Sequence, residues 1–121
     1  MQLESLDPET SFEAQLGEDT GPVVVVNTFI VPEGLMDAVI KNWQEDSAFM
    51  KARPGYISAQ LHRGVGGSNL LMNVAVWEST RDLARAFADP AFHTQVHQYP
   101  EGVRILPHVY RRIAVGGVCV A

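Results

Sequence analysis

An amide and an indole N–H stand four residues apart in the run Asn73-Val74-Ala75-Val76-Trp77-Glu78-Ser79. Successive side chains on a strand point to opposite faces, so Asn73, Ala75 and Trp77 share one face while Val74 and Val76 take the other. Polar groups on the inner side of a sheet need hydrogen-bond partners, because burial without one costs free energy. Two arrangements meet that need: a closed structural network around a core Trp, or a pocket whose ligand supplies the partner. In the second, the amide NH2 and the indole N–H form an oxyanion-type site, steadying charge on a ligand oxygen as it develops. Asn27, the single amide in the apolar run 23–31, either adds a third donor or pins the register of its strand.

The histidines are the candidates for moving a proton. His62 ends the alternating segment 56–63, and an imidazole with an unperturbed pKa of ~6.5 can take a proton near neutral pH. His97 is a candidate pocket base. His93 and His97 lie one helical turn apart, but no cysteine or carboxylate in that helix completes a metal set, so no metal site is expected. His108 has no evident partner. Trp43, Phe49, Met50 and Met72 read as core or pocket wall.

The bulk properties narrow the functional classes. A chain of 121 residues suffices for one domain with a real core. No apolar run approaches the ~20 residues that span a bilayer, no secretory signal opens the chain, and one cysteine, Cys119, makes no internal disulfide; cytoplasmic is the default expectation. The net charge of -5 is unevenly spread, because residues 1–20 hold six acids (Glu4, Asp7, Glu9, Glu13, Glu18, Asp19) and no Lys or Arg. The other eight acids face nine Lys and Arg, leaving the rest near +1. That balance is too small for nucleic-acid binding, and no basic stripe appears.

These residues need elements to position them. Residues 1–21 read as an irregular acidic arm, with a short helical turn near 10–16, that is solvated or settles on a neighbouring subunit. Residues 22–121 read as the domain. The run 23–31 is apolar on both faces and so a central strand. From Leu35 to Met50 the apolar positions recur at helical spacing, with Asp37, Lys41, Glu45 and Asp46 assigned to the solvent side. Residues 56–63 alternate, with Ile57, Ala59 and Leu61 opposite Tyr56, Ser58, Gln60 and His62. Gly64-Val65-Gly66-Gly67-Ser68 is a hairpin turn and not a phosphate loop, since no helix follows it. Residues 69–77 form the next strand, Ser79 caps a helix, and Pro90 opens another. Residues 103–115 give the last strand, with Pro107 at an edge or bulge. The order is β-α-β-β-α-β, a ferredoxin-like α+β fold with a four-stranded antiparallel sheet and helices on one face. The second face carries aliphatics, which predicts a homodimer through the open sheet face.

The stretches Asn27-Thr28-Phe29-Ile30-Val31-Pro32-Glu33-Gly34, Arg53-Pro54-Gly55-Tyr56-Ile57-Ser58 and 73–79 resemble the antibiotic biosynthesis monooxygenase superfamily. That resemblance implies a dimeric α+β barrel over roughly residues 22–115. A narrower likeness is to cofactor-free anthrone-type oxygenases of aromatic polyketide pathways, which oxidise a polycyclic phenol to a quinone with O2 and neither metal nor flavin. Their Asn-x-x-x-Trp on the third strand matches Asn73 and Trp77, and a histidine near the end of the second strand matches His62. A tyrosine in the following helix, a proton-transfer group in one branch, falls on Leu83. In the haem-degrading branch, Asn27 and His97 match the Asn and His, while Phe87 replaces the Trp. The resemblance therefore implies a small aromatic substrate and O2, no cofactor (haem being the alternative), and no nucleic-acid or membrane partner. Asn73, Trp77, His62 and His97 would be catalytic, with Asn27, Phe87, Trp43, Met72 and Leu83 lining the substrate site. A non-catalytic small-molecule-binding member is the third reading.

Overall fold

A computed structural model describes residues 2–96 and 98–121, the side chains of Gln2, Gln95 and Val96 aside. In chain order the elements are β1 (Gln2–Leu3), α1 (Phe12–Leu16), β2 (Val23–Ile30), α2 (Met36–Lys51), β3 (Tyr56–Arg63), β4 (Leu70–Trp77), α3 (Thr80–Ala88), α4 (Pro90–Val96) and β5 (Arg104–Tyr110). The sheet order is β1-β5-β2-β4-β3. Four of these strands are antiparallel, as the ferredoxin-like order requires, and β1 adds a two-residue parallel fringe beside β5. The apolar run 23–30 is central, flanked by β4 and β5.

Local chemistry sets the ends of these elements. Ser79 accepts a hydrogen bond from the Asp82 N–H at 3.1 Å, capping α3, and Pro90 opens α4 where a helix has no use for an N–H. Gly55, at φ +86° in the turn after α2, takes a conformation that favours glycine, with the Asp82 side chain where a Cβ would point.

Pro107 sits inside β5 without breaking it. The Ile105 carbonyl accepts from the Glu4 N–H, and Val109 exchanges two bonds with the Gln15 side-chain amide, all three at 2.9 Å. Odd-numbered residues of β5 thus turn their main-chain groups to the outer edge, away from β2. Pro107 shares that parity, so its missing N–H removes no bond from the β2–β5 ladder.

The structure corrects the expected outline in several places. The segment 2–21 is less irregular than expected: the helical turn near 10–16 is α1, β1 is added to it, and α1 lies on β5 and α3 of its own chain. Phe12 explains this, because it is buried with its ring 5.1 Å from Phe87 in an edge-to-face pair. A register shift between Tyr56 and Ser58 turns Tyr56 to the inner face with Ala59, not away from it. The last strand ends at Tyr110, and an isolated bridge between Val115 and Cys119 follows. Asp46 is not on the solvent side of α2 but buried.

The inner face of the sheet packs on the helices in two apolar clusters. One gathers Val23, Val25, Ala75, Trp77, Leu83, Ala86 and Val109 around Phe12. The other gathers Phe29, Val31, Met36, Val39, Leu71, Val103 and Ile105 around Tyr99. Between them runs one row of paired residues, Leu61–Asn73–Asn27–Pro107, of which Leu61 packs against the second cluster and the other three belong to neither. The core is split by its own amides. Among the described residues no helix covers the outer face, and Leu70, Met72 and Tyr110 are about two-fifths exposed on it.

Candidate active site

Over that row, between sheet and helices, lies a chamber. Its empty volume is about 750 Å³ counting the open mouth, and the centre of a water-sized sphere can move through about 90 Å³ of it. One water needs ~10–15 Å³ by the latter measure, so the space admits more than an isolated solvent molecule. The sheet contributes Val25, Asn27, Asn73, Ala75 and Trp77 to its wall. The helices contribute Trp43, Asp46, Ser47 and Met50 from α2, Leu83 and Phe87 from α3, and Phe92 from α4.

Strand register fixes the amides. Asn27 is opposite both Asn73 and Pro107, and since Pro107 turns its main chain outward, Asn27 forms its main-chain pair with Asn73. Such a pair holds its Cα atoms ~5.5 Å apart with side chains on the same face. Asn73 is 6% exposed, and its side-chain oxygen is buried without a hydrogen-bond partner. A half-turn of the amide exchanges its oxygen and NH2, so the site offers either an acceptor or a donor to a bound molecule. Trp77 is 2% exposed and held edge-to-face by Tyr56, with centroids 5.5 Å apart.

The facing wall carries two further unpartnered atoms, Trp43 Nε1 and Asp46 Oδ1. Burial pushes the Asp46 carboxyl up to about 6, against the opposing pull of the Tyr99 hydroxyl beside it, and the nearby Glu45 charge adds to the rise. The Tyr99 phenol is itself pushed up, first by burial and then by Asp46. Neither Asp46 nor Tyr99 is among the site residues that the sequence reading points to. A signal existed for the first: Met36, Val39, Trp43, Asp46 and Met50 follow a 3-4-3-4 spacing, which puts the carboxylate in the middle of the apolar stripe.

The structure thus brings Asn27, Asn73, Trp77, Trp43, Leu83 and Phe87 together around one space. It does not bring His62 or Met72 there. These two are opposite each other on β3 and β4, on the outer face, because their even-numbered positions carry the parity opposite to Asn73. The His62 ring is exposed and its Nδ1 lies 3.3 Å from the Met72 carbonyl oxygen. His97 lies outside the described residues. His108 is at the edge, its Nε2 3.2 Å from the Gln15 amide nitrogen, and His93 is exposed. No described histidine therefore lines the chamber. Among the described residues no cluster of His, Cys, Asp and Glu is set to hold a metal ion, and no helix is long and apolar enough to cross a membrane.

Fold and site define an α+β domain that holds a largely apolar chamber, with a few buried polar atoms, between an antiparallel sheet and its helices. The chain belongs to the antibiotic biosynthesis monooxygenase family, whose model matches residues 22–98. No curated protein matches it in sequence. Among solved structures, it is similar to a candidate monooxygenase from Shewanella loihica PV-4, at 34% identity and a TM-score of 0.67 over 82% of this chain and 100% of the other. It shares its fold with SnoaB, a cofactor-independent oxygenase from Streptomyces nogalater, at 22% identity and a TM-score of 0.72 over 81% of this chain and 99% of that one. A variant of MhuD with two manganese protoporphyrin IX molecules per active site matches at 25% identity and a TM-score of 0.63, over 79% and 100% of the two chains.

Proposed function

We propose that this protein is a cofactor-independent monooxygenase that oxidises a flat polycyclic phenol of the anthrone or quinol type with O2. The observation that carries the reading is the Asn73 amide, whose buried oxygen has no partner in the protein, opposite Asn27 in a chamber walled mainly by aromatic and aliphatic side chains. Leaving a buried acceptor unpaired costs about 1–3 kcal/mol, which a ligand hydroxyl offsets directly, and a half-turn of the amide presents its NH2 to a ligand oxygen that carries charge. Without metal or flavin, the substrate must itself become the electron donor. Loss of a proton from an anthrone-type methylene gives an enolate, which passes an electron to O2 and then bonds to the reduced oxygen. Loss of the second carbon-bound hydrogen as a proton, with O–O cleavage, leaves a carbonyl and one water. The balance is substrate plus O2 to quinone plus H2O.

In this scheme Asn73 and Trp77, with Asn27 beside them, stabilise the enolate and peroxy oxygens as charge builds on them. Leu83, Phe87 and Trp43 hold the flat ring. A homodimer forms by covering the outer face of the sheet, where Leu70 and Met72 are exposed. Oxygen uptake with an anthrone and no added cofactor tests the reading. Asn73→Ala should lower kcat by about 10²–10³, the usual loss for one oxyanion donor. Full activity in that variant removes the site from the mechanism. Ligand binding with no oxygen uptake reduces the protein to a small-molecule-binding module, and a Soret shift on adding haemin favours a haem-binding relative.

A further inference from the structure

We infer that Asp46 and Trp43 form a proton-accepting station of the chamber. Asp46 Oδ1 takes the proton of a phenolic or enolic hydroxyl on the bound molecule, and Trp43 Nε1 donates to an oxygen of the same molecule. The inference takes its ligand class from the oxygenase reading but stands on separate atoms. Trp43 and Asp46 are three residues apart on α2 and so share one face of it. Both line the chamber, and both have a side-chain polar atom that is buried with no partner in the protein. Asp46 as a whole is 9% exposed. One atom accepts and the other donates, a set that a hydroxyl-bearing aromatic satisfies and a hydrocarbon does not.

The step is simple in its accounts. The O–H bond breaks, the proton passes to the carboxylate, and the electron pair stays on the ligand oxygen. Asp46 becomes neutral, and the new phenolate or enolate is met by the Trp43 N–H and the amide row across the chamber. Its own environment suits Asp46 to this, since burial makes it a stronger base than an ordinary carboxylate. Among the described residues, the ionisable groups around it are Glu45 on its own helix, Tyr99 ahead of β5, and Tyr56 at the head of β3. Tyr56 apart, the described residues that the sheet, α3 and α4 turn toward the chamber are not ionisable. Tyr99 is a positioning residue, its hydroxyl steadying the charged carboxylate.

The test is equilibrium binding of a dihydroxyanthraquinone, which bears the phenols but has no methylene left to oxidise. Wild-type affinity should rise at least fivefold from pH 4.5 to 7.5, with a midpoint near 6. The isosteric Asp46→Asn variant should bind without that pH dependence. Tyr99→Phe should move the midpoint to higher pH, because it removes the contact that favours the carboxylate, and Trp43→Phe should weaken binding at every pH without moving it. An unchanged pH dependence in Asp46→Asn overturns the inference, as does failure of the wild type to bind the dye at either pH. Dye binding that follows Asp46 with no oxygen uptake from an anthrone sinks the oxygenase reading alone. Oxygen uptake with dye binding indifferent to Asp46 sinks this one alone.

Discussion

The two walls of the chamber are built by different physics. The sheet wall takes its geometry from main-chain bonds: Asn27 and Asn73 stand side by side because β2 and β4 pair residue for residue from Val23↔Trp77 to Ile30↔Leu70. Nothing about the side chains is needed to hold them there. The helix wall has no such ladder. Trp43 and Asp46 keep their places by packing within the apolar stripe of α2, and a carboxylate in that stripe must be stabilised by something other than the main chain. The rigid wall therefore carries groups of fixed charge, and the packed wall carries the group whose charge can change.

The largest effect should come from breaking the rigid wall. Trp77 is 2% exposed and packs among Val23, Val25, Ala75 and Leu83 in one of the two core clusters. Trp77→Ala should lower stability by about 3–5 kcal/mol, read as a shift of the urea midpoint at constant slope. A loss below 1 kcal/mol would mean that the indole is a replaceable lining of the cavity and not part of the frame.

The packed wall should respond in the opposite sense. Burial holds the Asp46 proton more tightly in the folded chain than in the unfolded one, raising the carboxyl from 3.8 to about 6. Across that interval the folded state binds more protons, so its contribution to stability is full below pH 3.8 and is lost as pH rises through 6. A shift of this size corresponds to at most ~3 kcal/mol, in part cancelled by the amide's own desolvation. Asp46→Asn should accordingly be more stable than the wild type at pH 8 and no more stable at pH 3.5. Equal urea midpoints at pH 8 would show that the carboxylate is already satisfied when charged.

The same contrast explains what the sequence reveals. Strand parity needs only residue types at alternating positions, so Asn73, Trp77 and Asn27 are legible on the inner face, and His62 and Met72 are legible on the outer one once register is known. Tyr56 escapes because a one-residue irregularity reverses parity and leaves no mark in composition. Asp46 is misread for a different reason. Its charge suggests solvent, while its spacing from Trp43 and Met50 places it inward, and residue type outweighs spacing in the reading. Tyr99 precedes a Pro-Glu-Gly turn and belongs to no periodic segment, so only tertiary packing brings it to Asp46. The arm fails similarly: six acids suggest solvation, but Phe12 in the core and the Gln15 amide on Val109 dock it.

That arm supplies the smallest predicted effect and a test of how far the rigid wall extends. The family model begins at residue 22, so β1 and α1 lie outside it, yet the Gln15 amide closes the outer edge of β5 at Val109 through two bonds of 2.9 Å. An open edge would leave one N–H and one carbonyl of Val109 to water, which exchanges rather than forfeits their bonding. Gln15→Ala should cost about 1 kcal/mol, and amide hydrogen exchange should quicken at Val109, whose N–H points to that edge, while Tyr110, bonded toward β2, stays protected. If protection fell equally at Val24 and Tyr110, the arm would be bracing the whole β2–β5 ladder. The sheet wall would then depend on a segment outside the family's shared fold, and its rigidity would no longer be a property of strand pairing alone.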